Sequence, residues 1–157
     1  MMNVRRAQRG FTIAELITVV AIIGLLATMV IPVARFGHRR QKEILLRERI
    51  RKITDAVDRY HDYRMRGQIK EPPEITQGEY PKDFEELVEG VELVDGKTVK
   101  FLRERDLIDP MTGKKEWTTF STTDEPDTSF SDKNNIFDIR STSGRLSLDG
   151  KTHYNEW

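Results

Sequence analysis

The sequence contains no cysteine, and this absence excludes several classes of protein at once. Without thiols there is no disulfide scaffold, no thiolate zinc site and no cysteine nucleophile. A net charge is also missing, because 26 Lys and Arg balance 26 Asp and Glu among 157 residues. A neutral chain lacks the uniformly basic surface of a protein built to bind nucleic acid.

Catalytic signatures are absent as well. The three histidines, His38, His61 and His153, are isolated and show no metal-ligand spacing. The chain has no G-x-S-x-G, no P-loop and no glycine-rich dinucleotide fingerprint. The adjacent acids Glu85 and Glu86 would point in different directions on a helix. We therefore expect no enzymatic activity.

Charge is distributed very unevenly along the chain. Residues 1–10 carry three arginines and no acid, and residues 11–34 carry a single charge, Glu15. Residues 35–70 hold 12 basic and 5 acidic groups, whereas residues 71–157 hold 11 basic and 20 acidic groups. The neutral total is therefore a cancellation between unlike segments. We therefore predict that the chain has four parts, which are residues 1–10, 11–34, 35–67 and 68–157.

The segment Leu16–Ala34 is a run of 19 uncharged, mostly aliphatic residues. A helix needs roughly 20 such residues to cross the hydrocarbon core of a membrane. A core helix of a small domain would be amphipathic, whereas this segment is apolar on every side. A secretory signal peptide would be shorter and would end in a small-x-small cleavage site, which Ile31–Phe36 does not offer. The pattern favours a retained membrane span whose orientation the flanking charges leave open.

Two residues in this region need an explanation. Glu15 lies at the edge of the apolar run, where an unpaired carboxylate is costly. Pro32 lies inside the helical pattern, where it removes one backbone hydrogen bond and favours a kink or local unwinding. Taken singly, each could be incidental, Glu15 as a snorkelling interfacial acid and Pro32 as a harmless membrane proline.

The string Arg9-Gly10-Phe11-Thr12-Ile13-Ala14-Glu15-Leu16 gives these residues a context. A short basic leader ending in glycine, then Phe-Thr-x-x-Glu-Leu, then an apolar run with a proline near its end, resembles the class III signal of type IV prepilins and type II secretion pseudopilins. The resemblance covers about the first 35 residues. It implies that a prepilin peptidase cleaves between Gly10 and Phe11 on the cytoplasmic side and methylates the new Phe11 amine.

Cleavage would change the chemistry around Glu15. The cut creates a positive amine at Phe11, four residues before the carboxylate, where a neutral peptide bond stood. A buried ion pair adds little stability, but it forms only when its two charges lie opposite each other. Such a pair can therefore specify how two neighbouring subunits align. We expect Glu15 to align each subunit by meeting the Phe11 amine of another, and we assign Glu15 and Pro32 to assembly.

Beyond Pro32 the helical pattern continues to about Arg66. Leu46, Ile50, Ile53, Val57 and Tyr60 form an apolar stripe on one face, which predicts packing against a small domain. The basic residues on the other faces are typical of a solvated helix, with anionic lipid headgroups as a further partner. Nucleic acid is not expected, because no base-reading motif is present.

The acidic remainder predicts a mixed domain. Residues 81–90 (PKDFEELVEG) favour a short helix with Phe84, Leu87 and Val88 facing inward. Residues 99–108 are ambiguous between helix and strand, residues 109–113 predict a turn, and alternation predicts strands at 116–122, 136–140 and 145–148. Trp117 and Trp157 are interpreted as packing residues. The fold class is therefore α+β, with a long N-terminal helix carrying short helices and an antiparallel sheet.

The DPMTG…EW stretch and the ending FDIRSTSG…LDG…YNEW resemble the C-terminal domain of the major pseudopilins of type II secretion, over roughly residues 80–157. This resemblance implies a calcium-binding loop with Asp149 as the candidate ligand, helped by Ser141, Ser143 and Ser147. The family's loop usually carries more acids, and Asp149 could equally form a simple Asp-Gly turn. Calcium is the one cofactor that the sequence suggests.

The two resemblances together imply a structural subunit of a periplasmic pseudopilus in a type II secretion system. Its expected partners are other copies of itself in a helical filament, the prepilin peptidase, the inner-membrane assembly platform and minor pseudopilins. Its expected location is the bacterial inner membrane, with the leader in the cytoplasm and the outer domain in the periplasm. Two alternatives stay open: a type IV pilus subunit for adhesion, motility or DNA uptake, and a membrane-anchored binding domain that never polymerises.

Overall fold

A computed structural model describes residues 10–70, 79–125, 128 and 131–157. The leader residues 1–9 lie outside this described part. Residues 71–78, in which Pro72, Pro73 and Gly78 predict a loop, also lie outside it. The chain divides into two compact units, with the boundary between Arg39 and Arg40.

A single long helix, α1, runs from Ile13 to Met65. This confirms the helix predicted from the apolar run and the stripe that follows it. Helical backbone continues through Pro32, so the proline does not end the helix, and its side chain lies outside the described part. Two residues after the helix ends, Gly67 has a positive φ of 64°, which allows the chain to turn, as glycine does after many helices.

The core of the second unit forms around the predicted stripe of α1. Leu46, Ile53, Val57 and Tyr60 are buried, and Ile50 packs at the edge of the same cluster. Apolar side chains from the rest of the unit cover this stripe, namely Leu87, Phe101, Leu102, Leu107, Trp117, Ile136, Ile139 and Tyr154. One face of the helix therefore forms one side of the core, as its 3.6-residue periodicity predicts.

The second helix, α2, spans Phe84–Glu89 and begins later than the pattern predicts. Asp83 caps it by accepting a hydrogen bond from the Glu86 amide at 3.1 Å, so Asp83, and not Pro81, sets the start. Leu87 is fully buried, and Phe84 and Val88 pack against the core, which confirms the predicted inward face.

Two small antiparallel sheets complete the unit. Strands β1 (Val91–Glu92) and β2 (Thr98–Val99) pair in the first, and β3 (Trp117–Phe120) pairs with β4 (Asp138–Ser141) in the second. Gly90 lets β1 approach β2, because a Cβ at Gly90 would lie 2.5 Å from the Val99 carbonyl oxygen. Short 3-10 helices cover Glu104–Leu107 and Tyr154–Glu156. The α+β class is confirmed.

The strand predicted at 145–148 is wrong. This segment forms only an isolated bridge between Leu146 and His153, and the chain then turns sharply at Asp149-Gly150. The carboxylate of Asp149 accepts the amides of Lys151 and Thr152, which curls the backbone instead of extending it. The strand predicted at 136–140 is found two residues later, and the ambiguous segment 99–108 contains the end of β2 and a 3-10 helix.

Candidate processing and assembly site

The predicted cleavage site lies just before the first turn of α1. Gly10 and Phe11 are not helical, and the Phe11 side chain is 80% exposed. Among the described residues, no atom lies within 4 Å of the position that a Cβ would take at Gly10. Gly10 and Phe11 are therefore uncrowded by the part of the first unit that the structure describes.

Thr12 fixes the start of α1, and the sequence reasoning missed it. Its hydroxyl accepts a hydrogen bond from the Glu15 amide at 3.2 Å, and its carbonyl accepts the Leu16 amide at 3.2 Å. Thr-Ile-Ala-Glu is also the T-x-x-E pattern of a capping box, a signal that could have revealed the cap. Because Thr12 caps the helix, Phe11 and Gly10 stay outside it.

Glu15 is the one acid in the first turn of α1 and is exposed. A negative charge at this position also interacts favourably with the positive end of the helix dipole. The assembly roles predicted for Glu15 and Pro32 both concern contacts between subunits, and they stay predictions.

The apolar half of α1 presents its side chains outward. Every described side chain from Phe11 to His38 is exposed, and none of the most apolar window of this helix is buried. The large exposed aliphatic residues of this region include Ile13, Leu16, Ile17, Val20, Ile22, Ile23, Leu25, Leu26, Val30, Ile31 and Val33. By length and composition α1 can cross a membrane. A surface of this size is stable only against lipid or other apolar helices.

Comparison with known families identifies the region that contains these residues. A family model described as "Prokaryotic N-terminal methylation motif" matches residues 5–31. The chain carries this methylation motif. The motif is typical of type IV pilins and pseudopilins, and its match includes Gly10, Phe11, Thr12 and Glu15.

The methylation motif supports a prepilin-like leader and implies processing by a prepilin peptidase and assembly into filaments in general. Proteins with this motif are structural and not enzymatic. The motif and the apolar helix are consistent with a single pass through the inner membrane. Comparison of the chain with curated proteins and with solved structures gave no match.

The candidate calcium ligand, Asp149, lies in a tight turn of the second unit. Its Oδ1 accepts the Lys151 amide at 2.8 Å and the Thr152 amide at 3.1 Å, and its Oδ2 accepts the Thr152 hydroxyl at 2.8 Å. The Ser147 hydroxyl, which also bonds Oδ1, is the main reason that the pKa of Asp149 lies below its usual value, followed by the two amides.

The other residues proposed to help Asp149 are found elsewhere. Ser141 and Ser143 are buried beside Asp109, where the Ser141 hydroxyl donates to the Asp109 carboxylate at 2.7 Å and accepts the Ser143 amide at 3.1 Å. Among the described residues, no group of three His, Cys, Asp or Glu side chains is placed to hold a metal ion. Calcium needs six to eight oxygen ligands, and Asp149 is a single carboxylate whose Oδ1 already accepts three hydrogen bonds. The donor set around Asp149 does not fit calcium.

Proposed function

We propose that this chain is a structural subunit of a periplasmic pseudopilus that helps to drive protein export by a type II secretion system. The observation that carries the proposal is the exposed apolar half of α1, with its one acid in the first turn and a methylation motif across it. Such a surface suits repeated packing of identical helices after the leader is removed.

Assembly by this surface would be head to tail. Each subunit would place its α1 against the α1 of its neighbours in a contact that does not close on itself, and such a contact makes a helical filament. The second unit has its own core, so it would keep its fold when the subunit joins the filament. The chain would contribute no chemical step, and the energy for assembly would come from partners.

The sequence resemblance of the second unit to major pseudopilins is the support for proposing a pseudopilus and not a pilus. The predicted turn at 109–113 and the strand β4 occupy the segments that resemble major pseudopilins, and the Gly113 amide closes the turn on the Asp109 carbonyl at 2.8 Å. Hydrogen bonds, and not a disulfide, hold this region together, since the chain has no cysteine.

Intact mass and N-terminal sequencing test the first step. The full chain expressed with a prepilin peptidase should begin at N-methylated Phe11, whereas without the peptidase it should keep residues 1–10. A chain that keeps its leader in the presence of an active peptidase would contradict every filament-forming function and would favour the membrane-anchored binding domain.

Replacing Glu15 tests the assembly step. Glu15→Ala should still be cleaved at Phe11 but should assemble poorly, because the buried amine of Phe11 would lose its partner. Loss of one member of a buried pair costs about 3 kcal/mol or more, roughly a hundredfold in subunit affinity. The measurement is the yield of sheared filaments, with Glu48→Ala as the matched control, because Glu48 is exposed on the same helix and pairs with Lys52, one turn along the helix, at 2.7 Å. Normal filaments from Glu15→Ala would rule out the alignment role.

Deletion of the gene separates the pseudopilus from the pilus. Loss of the pseudopilus subunit should leave folded export substrates in the periplasm while motility, adhesion and DNA uptake persist. The opposite pattern, with normal export and no surface pili, would assign the chain to a type IV pilus.

A further inference from the structure

The segment 145–157, called here the distal segment, is hydrogen-bonded to α1 at Glu43. The Oε1 of Glu43 accepts the Leu148 amide at 2.7 Å and the Tyr154 hydroxyl at 2.8 Å. One helix turn later, the Arg47 guanidinium lies 4.3 Å from the centre of the Trp157 ring. Two elements more than 100 residues apart in sequence therefore meet through one carboxylate oxygen and one cation–π contact.

Inside the distal segment, a loop closes on Asp149. The Ser147 amide donates to the Thr152 carbonyl at 2.8 Å, and the groups aimed at Asp149 are two amides and two hydroxyls. The Trp157 indole donates to the Thr152 hydroxyl at 3.2 Å, which ties the end of the segment to the same loop. The amides, the two hydroxyls and the indole each present a hydrogen to an acceptor.

A cation could not take the groups aimed at Asp149 as ligands without breaking hydrogen bonds that close the loop. A divalent ion needs lone pairs directed at it, and the hydroxyls of Ser147 and Thr152 could rotate to offer theirs. The amides of Lys151 and Thr152 cannot do so, because their N–H bonds are fixed by the backbone that Asp149 holds. Glu43, the acid that reaches the neighbouring Leu148, already accepts two hydrogen bonds.

We propose that Asp149 closes the Ser147–Thr152 loop in place of a metal ion and that Glu43 fastens the closed loop to α1, so that the distal segment folds without calcium. Hydrogen bonds thus hold this loop closed, whereas the resemblance to major pseudopilins implies that a bound cation does so. The proposal concerns the folding of the second unit and holds for a pseudopilus or a pilus subunit alike.

Thermal unfolding of the full chain in detergent micelles tests the metal independence. The Tm in excess EDTA and the Tm in millimolar calcium chloride should agree to within about 1 °C, since a ligand that does not bind the native state cannot raise its stability. A Tm that calcium raises by several degrees in the wild type, but not in Asp149→Asn, would overturn the proposal.

Variants at the two carboxylates test the mechanism. Asp149→Asn and Glu43→Ala should each lower the Tm by about 3–6 °C in EDTA, because each leaves amides or hydroxyls without an acceptor. Glu48→Ala, which removes an exposed acid from the same helix, should change the Tm by less than about 1 °C. An unchanged Tm for both Asp149→Asn and Glu43→Ala would overturn the proposal that these two carboxylates hold the distal segment in place.

The two tryptophans give a readout that does not depend on global stability. In chain labelled with 15N-tryptophan, the Trp157 indole reports on Thr152, and the Trp117 indole, bonded to the Leu107 carbonyl at 2.7 Å, serves as an internal reference. Glu43→Ala should shift the Trp157 signal and leave the Trp117 signal in place, and calcium should move neither. A calcium-dependent shift of Trp157 alone would contradict metal-free closure. If Asp149→Asn fails to fold, Ser147→Ala, which removes a single donor, takes its place in both measurements.

Discussion

Thr12 determines where α1 begins, and this has a consequence that can be measured at one amide. Thr12→Val removes the hydroxyl that accepts the Glu15 amide and keeps the size of the side chain. Loss of an N-cap costs about 1 kcal/mol, so the Glu15 amide should exchange with deuterium roughly fivefold faster. Hydrogen exchange of the micelle-bound chain, followed residue by residue, is the measurement.

The controls for this prediction lie on the same helix. Thr12→Ser keeps the hydroxyl and should exchange like the wild type. Thr18→Val removes a hydroxyl that donates to the Ala14 carbonyl at 2.8 Å, which is not a cap, so the Glu15 amide should be unaffected. Equal acceleration by Thr12→Val and Thr18→Val would show that the cap does not hold the first turn.

Asp149 predicts how the distal segment responds to acid. Hydrogen bonds from Ser147, Lys151 and Thr152 lower the pKa of Asp149 in the folded state. A group with a lowered pKa stabilises the fold fully above its unfolded pKa, about 3.9 for aspartate, and loses that contribution as the pH falls further. The difference in Tm between wild type and Asp149→Asn should therefore be constant from pH 7 to about pH 5 and should shrink below about pH 4. A difference that already disappears at pH 6 would mean that another group is titrating.

Residue-level prediction from the sequence is possible where the partners are close along the chain. Asp149-Gly150 is predicted as a possible turn, and the T-x-x-E spacing contains the Thr12 cap, although the sequence reasoning missed it. Glu43 could not be assigned in this way, because its partners, Leu148 and Tyr154, lie 105 and 111 residues away. The sequence shows an acid on a charged helix, which is typical of an exposed pair.

At the scale of elements, the apolar stripe of α1 is central to the core packing of the second unit. Ile53 is fully buried and contacts the core, whereas Ile44, nine residues earlier on the same helix, is 60% exposed. Ile53→Ala should lower the free energy of unfolding by about 2–4 kcal/mol, because it removes buried methylene groups and leaves a cavity.

Ile44→Ala is the matched control for this substitution. It makes the same chemical change at an exposed position and should alter the free energy of unfolding by less than about 0.5 kcal/mol. Urea unfolding of both variants, followed by circular dichroism, gives the comparison. Similar losses from the two variants would mean that helix propensity, and not core packing, dominates.

The elements that the sequence predicted best are those with a strong period. The stripe from Leu46 to Tyr60 repeats over several turns, and Leu87 follows a clear cap and precedes Gly90. The strands were harder, because each has four residues or fewer and its position depends on a partner strand. The 145–148 segment alternates like a strand, but the amides that follow it bond Asp149 and the pairing stops after one bridge.

At the scale of the whole molecule, the segregation of charge predicts how copies of the chain recognise one another. Residues 35–70 carry an excess of seven positive charges, and residues 71–157 carry an excess of nine negative charges. Attraction between the basic stretch of one copy and the acidic stretch of another would fall steeply with salt, since the Debye length shrinks from about 8 Å at 0.15 M to about 3 Å at 1 M.

Filaments should therefore dissociate more readily in 1 M sodium chloride than in buffer of low ionic strength. Sedimentation of filaments after dilution into each buffer measures this, with sucrose of equal osmolarity as the control for a general solvent effect. Filaments that are equally stable or more stable in salt would show that apolar packing of α1 alone holds the copies together.

The bond between Glu43 and the distal segment has a mechanical consequence. The second unit is a chain whose first helical turns and last residues are held by the same carboxylate. Neither end can fray by itself, because opening one releases the other, so the two should unravel as a single cooperative event. A pull transmitted along α1 would then be shared between the helix and the distal segment.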